Sequence, residues 1–142
     1  GGSLTYTMEI VREGRVIYTT HHGVVDAEEI VAAIEDERAL ALAHPSVRFV
    51  VFDYTEATMA GVDAEGNRRC AEAGARLLAD CPGLVLLGVV PKALDYGLSR
   101  MFQARVDLAP EEVSADRVNL LRDPAELDAW IAAAFEKGLV AP

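Results

Sequence analysis

The stretch Leu84–Arg105, LVLLGVVPKALDYGLSRMFQAR, decides the fold of this chain. Its first part, Leu84–Val90, is an almost continuous apolar run of strand length, and Pro91 ends it. Beyond the Pro-Lys turn, further side chains recur at helical spacing and predict a helix with an apolar stripe towards a sheet. They are Leu94, Leu98, Met101, Phe102 and Arg105. A buried strand that turns directly into an amphipathic helix predicts a βα unit.

Outward from this unit, the N-terminal residues predict a β-hairpin followed by a helix. Apolar and polar side chains alternate in residues 4–10 and again in residues 15–20, and a Glu13-Gly14 turn separates the two runs. Asp26 then begins a capping-box pattern in which Glu29 stands at the third helical position. The chain therefore starts with two antiparallel strands and a first helix.

The remaining residues alternate between strands and helices. Val47–Phe52 is a short apolar run, and we expect a buried strand that ends at Asp53 and leads into a polar loop. A second helix is predicted over residues 63–80, and Val118–Leu121 is a short strand ahead of a last helix. Because helical crossovers join parallel strands, the order ββαβαβαβα predicts a single α/β domain with a mixed, mostly parallel β-sheet and helices packed on it.

Size and charge limit the class of protein. The chain has 142 residues, 51% of them hydrophobic, so we expect one domain over residues 4–142, with residues 1–3 left from cloning. The formal net charge of −10 repels phosphate backbones, so nucleic acid is not an expected partner. Since no segment approaches the roughly twenty apolar residues of a membrane span and no leader precedes the first strand, we expect a cytoplasmic protein without membrane insertion.

The two cysteines, Cys70 and Cys81, are expected to stay reduced. If one continuous helix carries both, they lie ~16 Å apart, which is beyond disulfide reach. Cys70 is expected in the core, and Cys81 lies near the partly negative end of the helix, where a thiolate is disfavoured. Neither residue is therefore an expected nucleophile.

Several pieces of the sequence together are similar to a known family. They are the hairpin leading to Gly23, the acid that ends Val50-Val51-Phe52-Asp53, the segment Asp95-Tyr96-Gly97-Leu98-Ser99-Arg100-Met101-Phe102, and Leu121-Arg122-Asp123-Pro124 with Leu127 and Trp130. Over Tyr6–Phe135 the chain resembles the SpoIIAA-like (STAS) group, and especially small uncharacterised bacterial proteins described as STAS/SEC14-like. The Tyr-Gly-Leu-x-Arg-Met-Phe piece is the most specific, because the strand and helix patterns alone suit many α/β folds.

The resemblance implies a SpoIIAA-like fold and a non-enzymatic role in protein interaction. STAS domains of the anti-sigma-factor-antagonist type are regulated at a serine in the loop after the strand-end Asp, whereas residues 59–64 of this chain contain neither Ser nor Thr. Regulation by phosphorylation at that position is therefore not expected. The SEC14-like side of the resemblance would imply an apolar ligand pocket.

Candidate ligand residues cluster where the predicted strands end. Ligands of open α/β sheets bind at that edge, because loops and helix N-termini with unpaired N–H groups meet there. The candidate ligand-binding residues are Asp53, Tyr54, Lys92, Tyr96, Gly97 and Arg100. Since Tyr96 and Arg100 stand four apart on one helix, the guanidinium could stack on the ring or bind an anion.

No recognisable catalytic or metal site accompanies these residues. His21 and His22 are strand neighbours that point to opposite faces, so they cannot chelate one ion together, and we expect both at an exposed strand end. Asp53 lacks the second acid and the Thr of the haloacid-dehalogenase pattern, and a structural Asp that bonds nearby amides is the simpler interpretation. Gly97 costs about 1 kcal/mol relative to Ala in a helix, which close packing against the sheet would explain. We therefore predict no catalytic residue, metal or cofactor.

The sequence is compatible with three functions. The preferred one is a non-enzymatic module that binds a partner protein, a second copy of itself or a small ligand at the carboxyl edge of the sheet. The alternative is a carrier of a lipid or other apolar ligand, with a cavity beneath the third helix lined by Leu94, Leu98 and Met101. A minority view is a small hydrolase that uses Asp53. A homodimer is compatible with the exposed sheet edge that an N-terminal hairpin leaves.

Overall fold

The computed structural model describes residues 6–142. Its first two strands are β1 (Tyr6–Val11) and β2 (Val16–Val24). The predicted cloning remnant at residues 1–3 lies outside the described residues. The later strands are β3 (Phe49–Thr58), β4 (Val85–Val89) and β5 (Val118–Leu121). The helices are α1 (Ala27–Ala43), α2 (Ala64–Asp80), α3 (Ala93–Asp107) and α4 (Leu127–Glu136). The predicted order ββαβαβαβα is confirmed.

The five strands form one mixed sheet in the order β1-β2-β3-β4-β5. The β1–β2 pair is antiparallel, and the three pairs from β2 to β5 are parallel, as predicted. Because successive right-handed crossovers advance in one direction, α1, α2 and α3 all pack on one face. The other face is covered by α4. The domain is therefore a sheet between a three-helix layer and a single helix.

The helix starts agree with the predicted caps. The Asp26 side chain accepts a hydrogen bond from the Glu29 N–H, and the Glu29 side chain accepts one from the Asp26 N–H, so the capping box is complete. Asp63 caps α2 by accepting one hydrogen bond from the Gly66 N–H. These local interactions satisfy N–H groups that the helix itself leaves unpaired.

Strand β3 is longer than its sequence predicts. The strand was expected to end at Asp53, but its pairing with β2 continues after a register shift and reaches Thr58. Thr55 and Glu56, which are polar and exposed, belong to this extension. Exposed strand residues can be as polar as loop residues, because a strand is held by backbone hydrogen bonds and not by its side chains. The polar sequence of this extension therefore resembles that of a loop.

Helix α3 packs on the sheet through a different face from the predicted one. Its buried residues include Asp95, Ser99 and Val106, and Phe102 adds to the same side. By contrast, Leu94 and Met101 are 58% and 40% exposed. The predicted inward apolar stripe of α3 is therefore wrong for these two residues.

Gly88 in β4 provides space for an aromatic ring of the neighbouring strand. A Cβ at this position would lie 2.6 Å from Phe52 Cζ and 3.0 Å from Leu120 Cδ2, which are closer than normal contacts. The Phe52 ring packs edge-on against Phe102, so it has little freedom to move. Glycine is therefore required here by packing.

We expect Gly88→Ala to lower the free energy of unfolding by about 1–3 kcal/mol, because the ring must shift in a packed core. Urea unfolding measures this change. Gly97→Ala on α3 is the matched control, since a Cβ there meets nothing within 4 Å. This control should be neutral or raise stability by up to about 1 kcal/mol. Equal stability of Gly88→Ala and the wild type would contradict the packing.

Candidate functional site

The predicted ligand residues of β3 do not share a pocket, because neighbouring strand residues face opposite sides of the sheet. Asp53 is on the α4 side, where it accepts hydrogen bonds from Tyr18 Oη and, at 2.8 Å, from the Thr55 N–H. Tyr54 lies in the three-helix layer, only 2% exposed, with its ring stacked on His21 at a centroid distance of 4.5 Å. Asp53 thus has the structural hydrogen bonds that its sequence context predicts.

Lys92 stabilises the carboxyl edge of the sheet through hydrogen bonds to β3. Its ammonium donates to the carbonyl oxygens of Tyr54 at 3.3 Å, Thr55 at 3.2 Å and Ala57 at 2.9 Å. An ammonium group has three donors, so these contacts can use all of them. The side chain therefore ties the start of α3 to the end of β3.

Tyr96 contacts a different arginine from the predicted one. The Arg122 guanidinium lies 5.0 Å from the centroid of the Tyr96 ring, and it also donates to the Pro91 carbonyl oxygen at 3.2 and 2.9 Å. Arg100 is exposed on α3. Of the two roles left open for Arg100, stacking on Tyr96 is therefore taken by Arg122 from the β5–α4 connection, and anion binding by Arg100 stays a prediction.

Gly97 is an exposed residue of α3, with open space where a Cβ would be. Its predicted close packing against the sheet is wrong, because the helix presents another face to the sheet. Gly97 and Arg100 thus share the outer surface of α3, away from Tyr54 and Asp53.

An apolar stripe runs along that outer surface, and we call it the α3 stripe. Its members, all exposed, are Leu94, Gly97, Met101, Ala104 and Leu108. They recur at alternating intervals of three and four residues, the spacing that keeps one helix face towards a partner helix. Arg100 and Arg105 flank the stripe on its two sides. Sequence reasoning missed this surface because Asp95 and Ser99, which are buried, interrupt the apolar pattern of the true inner face.

A cavity of about 50 Å³ lies beneath the three-helix layer. Apolar side chains from the sheet and from all three helices form most of its wall, together with a few polar side chains. The polar ones include His21, Glu37, Asn67 and Ser99. Leu98 lines the cavity as predicted, whereas Leu94 and Met101 face outward and do not.

The two histidines have different environments. His22 is exposed, with its Nδ1 3.5 Å from Glu56 Oε2, whereas His21 is 2% exposed. Burial, together with the neighbouring His22, lowers the pKa of His21 to about 4. The opposite orientations are confirmed, but the predicted exposed strand end is wrong for His21, because Tyr54 and the helices cover it.

Glu37 in α1 is 3% exposed and accepts a hydrogen bond from Thr19 Oγ1 at 2.7 Å. Burial raises its pKa to about 8, against the lowering effect of the Thr19 hydroxyl. The carboxyl group is therefore mostly protonated at neutral pH. With His21 neutral as well, these polar groups of the cavity carry no net charge.

The thiols of the chain are poorly suited to nucleophilic chemistry. Both cysteines are free, as predicted. Burial raises the pKa of Cys70 to about 12, and burial together with Asp80 raises the pKa of Cys81. Thiols with raised pKa values are largely protonated at neutral pH.

The described part of the chain comprises residues 6–142. Within it, no group of three or more His, Cys, Asp or Glu side chains is arranged to hold a metal ion. None of its helices combines the length and apolar character needed to cross a membrane.

The fold of the chain is similar to that of a solved structure. The chain is similar to the anti-sigma factor antagonist SpoIIAA in its unphosphorylated form, with a TM-score of 0.55 and 15% sequence identity over 92% of this chain and 98% of that one. No protein-family model and no curated protein sequence matches the chain. At this identity the likeness concerns the fold, and the SpoIIAA-like fold predicted from the sequence is confirmed.

The buried carboxyl group makes stability depend on pH. Glu37 ionises in the unfolded chain above about pH 4.5 but in the folded protein only above about pH 8. The folded state therefore loses stability relative to the unfolded state as the pH rises between these values, by about 1.4 kcal/mol per pH unit. Glu37→Gln cannot ionise and keeps an acceptor for Thr19 Oγ1. We expect its stability relative to the wild type to increase through this pH range.

Urea unfolding at a series of pH values checks this expectation. The contribution of His21, which reduces stability as the pH falls from about 6.5 to 4, is common to both proteins and cancels in the difference. Glu35→Gln on the same helix is the control, because its side chain is 44% exposed beside Arg76. A difference between Glu37→Gln and the wild type that does not change with pH would contradict the buried neutral carboxyl.

Proposed function

We propose that this protein is a non-enzymatic module that binds a partner protein bearing acidic side chains through the α3 stripe. The observation that supports this function is the outward apolar surface of α3. Leu94, Met101 and Leu108 are 58%, 40% and 83% exposed. Contiguous exposed apolar surface of this kind is typical of interaction sites.

The shape of the α3 stripe suits an apolar partner surface such as a helix. Gly97 has no side chain and lies between Leu94 and Met101, so a partner backbone can approach closely there. The alternating spacing of the stripe matches the spacing of helix pairs that pack side by side. The predicted ligand residues Gly97 and Arg100 both contribute to this surface.

Charge supports an acidic partner. The chain has 13 basic and 23 acidic residues, yet the two charged side chains that flank the middle of the stripe, Arg100 and Arg105, are both basic. Lys92, at the N-terminal end of α3, already donates to three carbonyl oxygens. Arginine at the rim of an apolar patch pairs at short range with carboxylates of a partner.

Two further arguments support protein binding without catalysis. SpoIIAA, which has a similar fold, is described as an antagonist of an anti-sigma factor, which is an action on another protein. The minority hydrolase alternative is not favoured, because the two carboxylate oxygens of Asp53 already accept hydrogen bonds from Tyr18 and Thr55. The proposed partner binding is also independent of phosphorylation in residues 59–64, which contain no Ser or Thr.

The lipid-carrier alternative stays a prediction with less support. The cavity of about 50 Å³ is smaller than the roughly 150 Å³ cavity that accepts benzene in another protein. Its size therefore favours a ligand smaller than a lipid. Homodimer formation, a cytoplasmic location and a bacterial origin likewise stay predictions. Ligand-binding roles for Asp53, Tyr54, Lys92 and Tyr96 also stay predictions.

Loss of binding on altering the α3 stripe tests the proposal. A partner is captured from the cells that naturally produce the protein, identified, purified and titrated by calorimetry. We expect Met101→Glu to weaken binding about tenfold or more, because it places a charge in an apolar contact facing carboxylates. Arg100→Glu should weaken binding as well and reduce its dependence on salt.

Leu42→Glu is the matched control, since Leu42 is 50% exposed on α1, away from the stripe. It should bind the partner as the wild type does. The proposal fails if Met101→Glu binds as tightly as Leu42→Glu. It also fails if a catalytic turnover is found that Asp53→Asn or Arg100→Ala abolishes.

A further inference from the structure

Two buried polar atoms of the three-helix cavity have no hydrogen-bond partner among the described residues. They are His21 Nδ1 and Asn67 Oδ1. Their side chains are only 2% and 3% exposed, and both line the cavity. Buried polar atoms in folded proteins are nearly always paired, so each exception calls for a water, an ion or a ligand.

These groups are held in place before any ligand arrives. The Asn67 amide donates through Nδ2 to the Leu98 carbonyl oxygen at 3.0 Å, which leaves Oδ1 as the free acceptor. The His21 ring is stacked on Tyr54 with an interplanar angle of 10°. Such fixed polar groups within an apolar wall are typical of ligand pockets.

A third polar group of the cavity is only weakly engaged. The Ser99 hydroxyl donates to Met59 Sδ at 3.7 Å, and a thioether sulfur is a weak acceptor. The hydroxyl can therefore exchange this contact for a stronger one. Ser99 lies on α3 and Asn67 on α2, so the polar groups reach the cavity from different elements.

The charge of the cavity selects a neutral ligand. No Lys or Arg side chain lines it among the described residues. The imidazole of His21 is neutral, and the carboxyl group of Glu37 is mostly protonated at neutral pH. An ionic molecule would lose its hydration without gaining a counter-charge.

The volume of the cavity selects a small ligand. On the measure by which a single water needs roughly 10–15 Å³, the cavity has about 50 Å³. It therefore suits a molecule of a few non-hydrogen atoms, and the mostly apolar wall favours an apolar body with one polar group.

We propose that this cavity binds a small neutral molecule with an apolar body and one hydroxyl or N–H donor, such as a short-chain alcohol or a small amide. The donor hydrogen-bonds to Asn67 Oδ1, and His21 Nδ1 is the second polar contact. The site lies on the inner side of α3 and shares no residue with the α3 stripe, so the two sites can be altered separately.

A matched pair of probes tests the site in the intact 142-residue chain by nuclear magnetic resonance. Propan-2-ol and acetone have the same number of non-hydrogen atoms, but only propan-2-ol has a donor. We expect propan-2-ol to shift the amide signals around the cavity saturably. Acetone should bind about five- to tenfold more weakly, because Asn67 Oδ1 then stays unpaired.

Two variants connect the result to the named atoms. Asn67→Leu removes the acceptor and should abolish the preference for propan-2-ol, and if this variant does not fold, the wild-type comparison of the two probes still decides. Met101→Glu should leave propan-2-ol binding unchanged, which separates this site from the α3 stripe. Equal binding of both probes, or shifts that never saturate, would overturn the proposal. So would a crystal structure in which ordered waters fill the cavity and propan-2-ol does not displace them.

Discussion

The buried carboxylate of Asp95 is the contact on which the arrangement of α3 depends. Asp95 is fully buried in the first turn of α3, and its Oδ1 accepts hydrogen bonds from Thr58 Oγ1 at 3.0 Å and from the Met59 N–H at 2.9 Å. Together with the hydrogen bond from Asn67 Nδ2 to the Leu98 carbonyl oxygen, this contact sets the rotation of the helix about its axis. Ser99 then faces the cavity and Met101 faces solvent.

The carboxyl edge of the sheet is held together by two cationic side chains. Lys92 uses its ammonium on the carbonyl oxygens at the end of β3, and Arg122 covers Tyr96 while it donates to Pro91. Because Lys92 and Arg122 already donate hydrogen bonds within the domain, fewer donors remain at this edge for an anionic ligand than the sequence suggests. The two proposed binding sites lie on opposite sides of α3, the apolar stripe outside and the mostly apolar cavity with its few uncharged polar groups inside.

The sequence predicts the order of the elements well because local signals determine it. The capping box at Asp26 and the short strand Val118–Leu121 need only nearby residues, and both are confirmed. The rotation of α3 depends on the contact between Thr58 and Asp95, which are 37 residues apart, and no local pattern reports such a contact. The burial of His21 is similar, because it depends on packing against Tyr54 and on helices distant in sequence.

The rotation of α3 can be measured directly by thiol labelling. Single cysteines at positions 94, 101 and 99 would be compared for their rate of reaction with a maleimide, in a background that carries Cys81→Ser and keeps the buried Cys70. Leu94→Cys and Met101→Cys should react quickly, since both positions are exposed, whereas Ser99→Cys should react slowly, since Ser99 is 2% exposed. Comparable reaction rates at positions 99 and 101 would contradict the orientation of α3 in which residue 99 is buried and residue 101 is exposed.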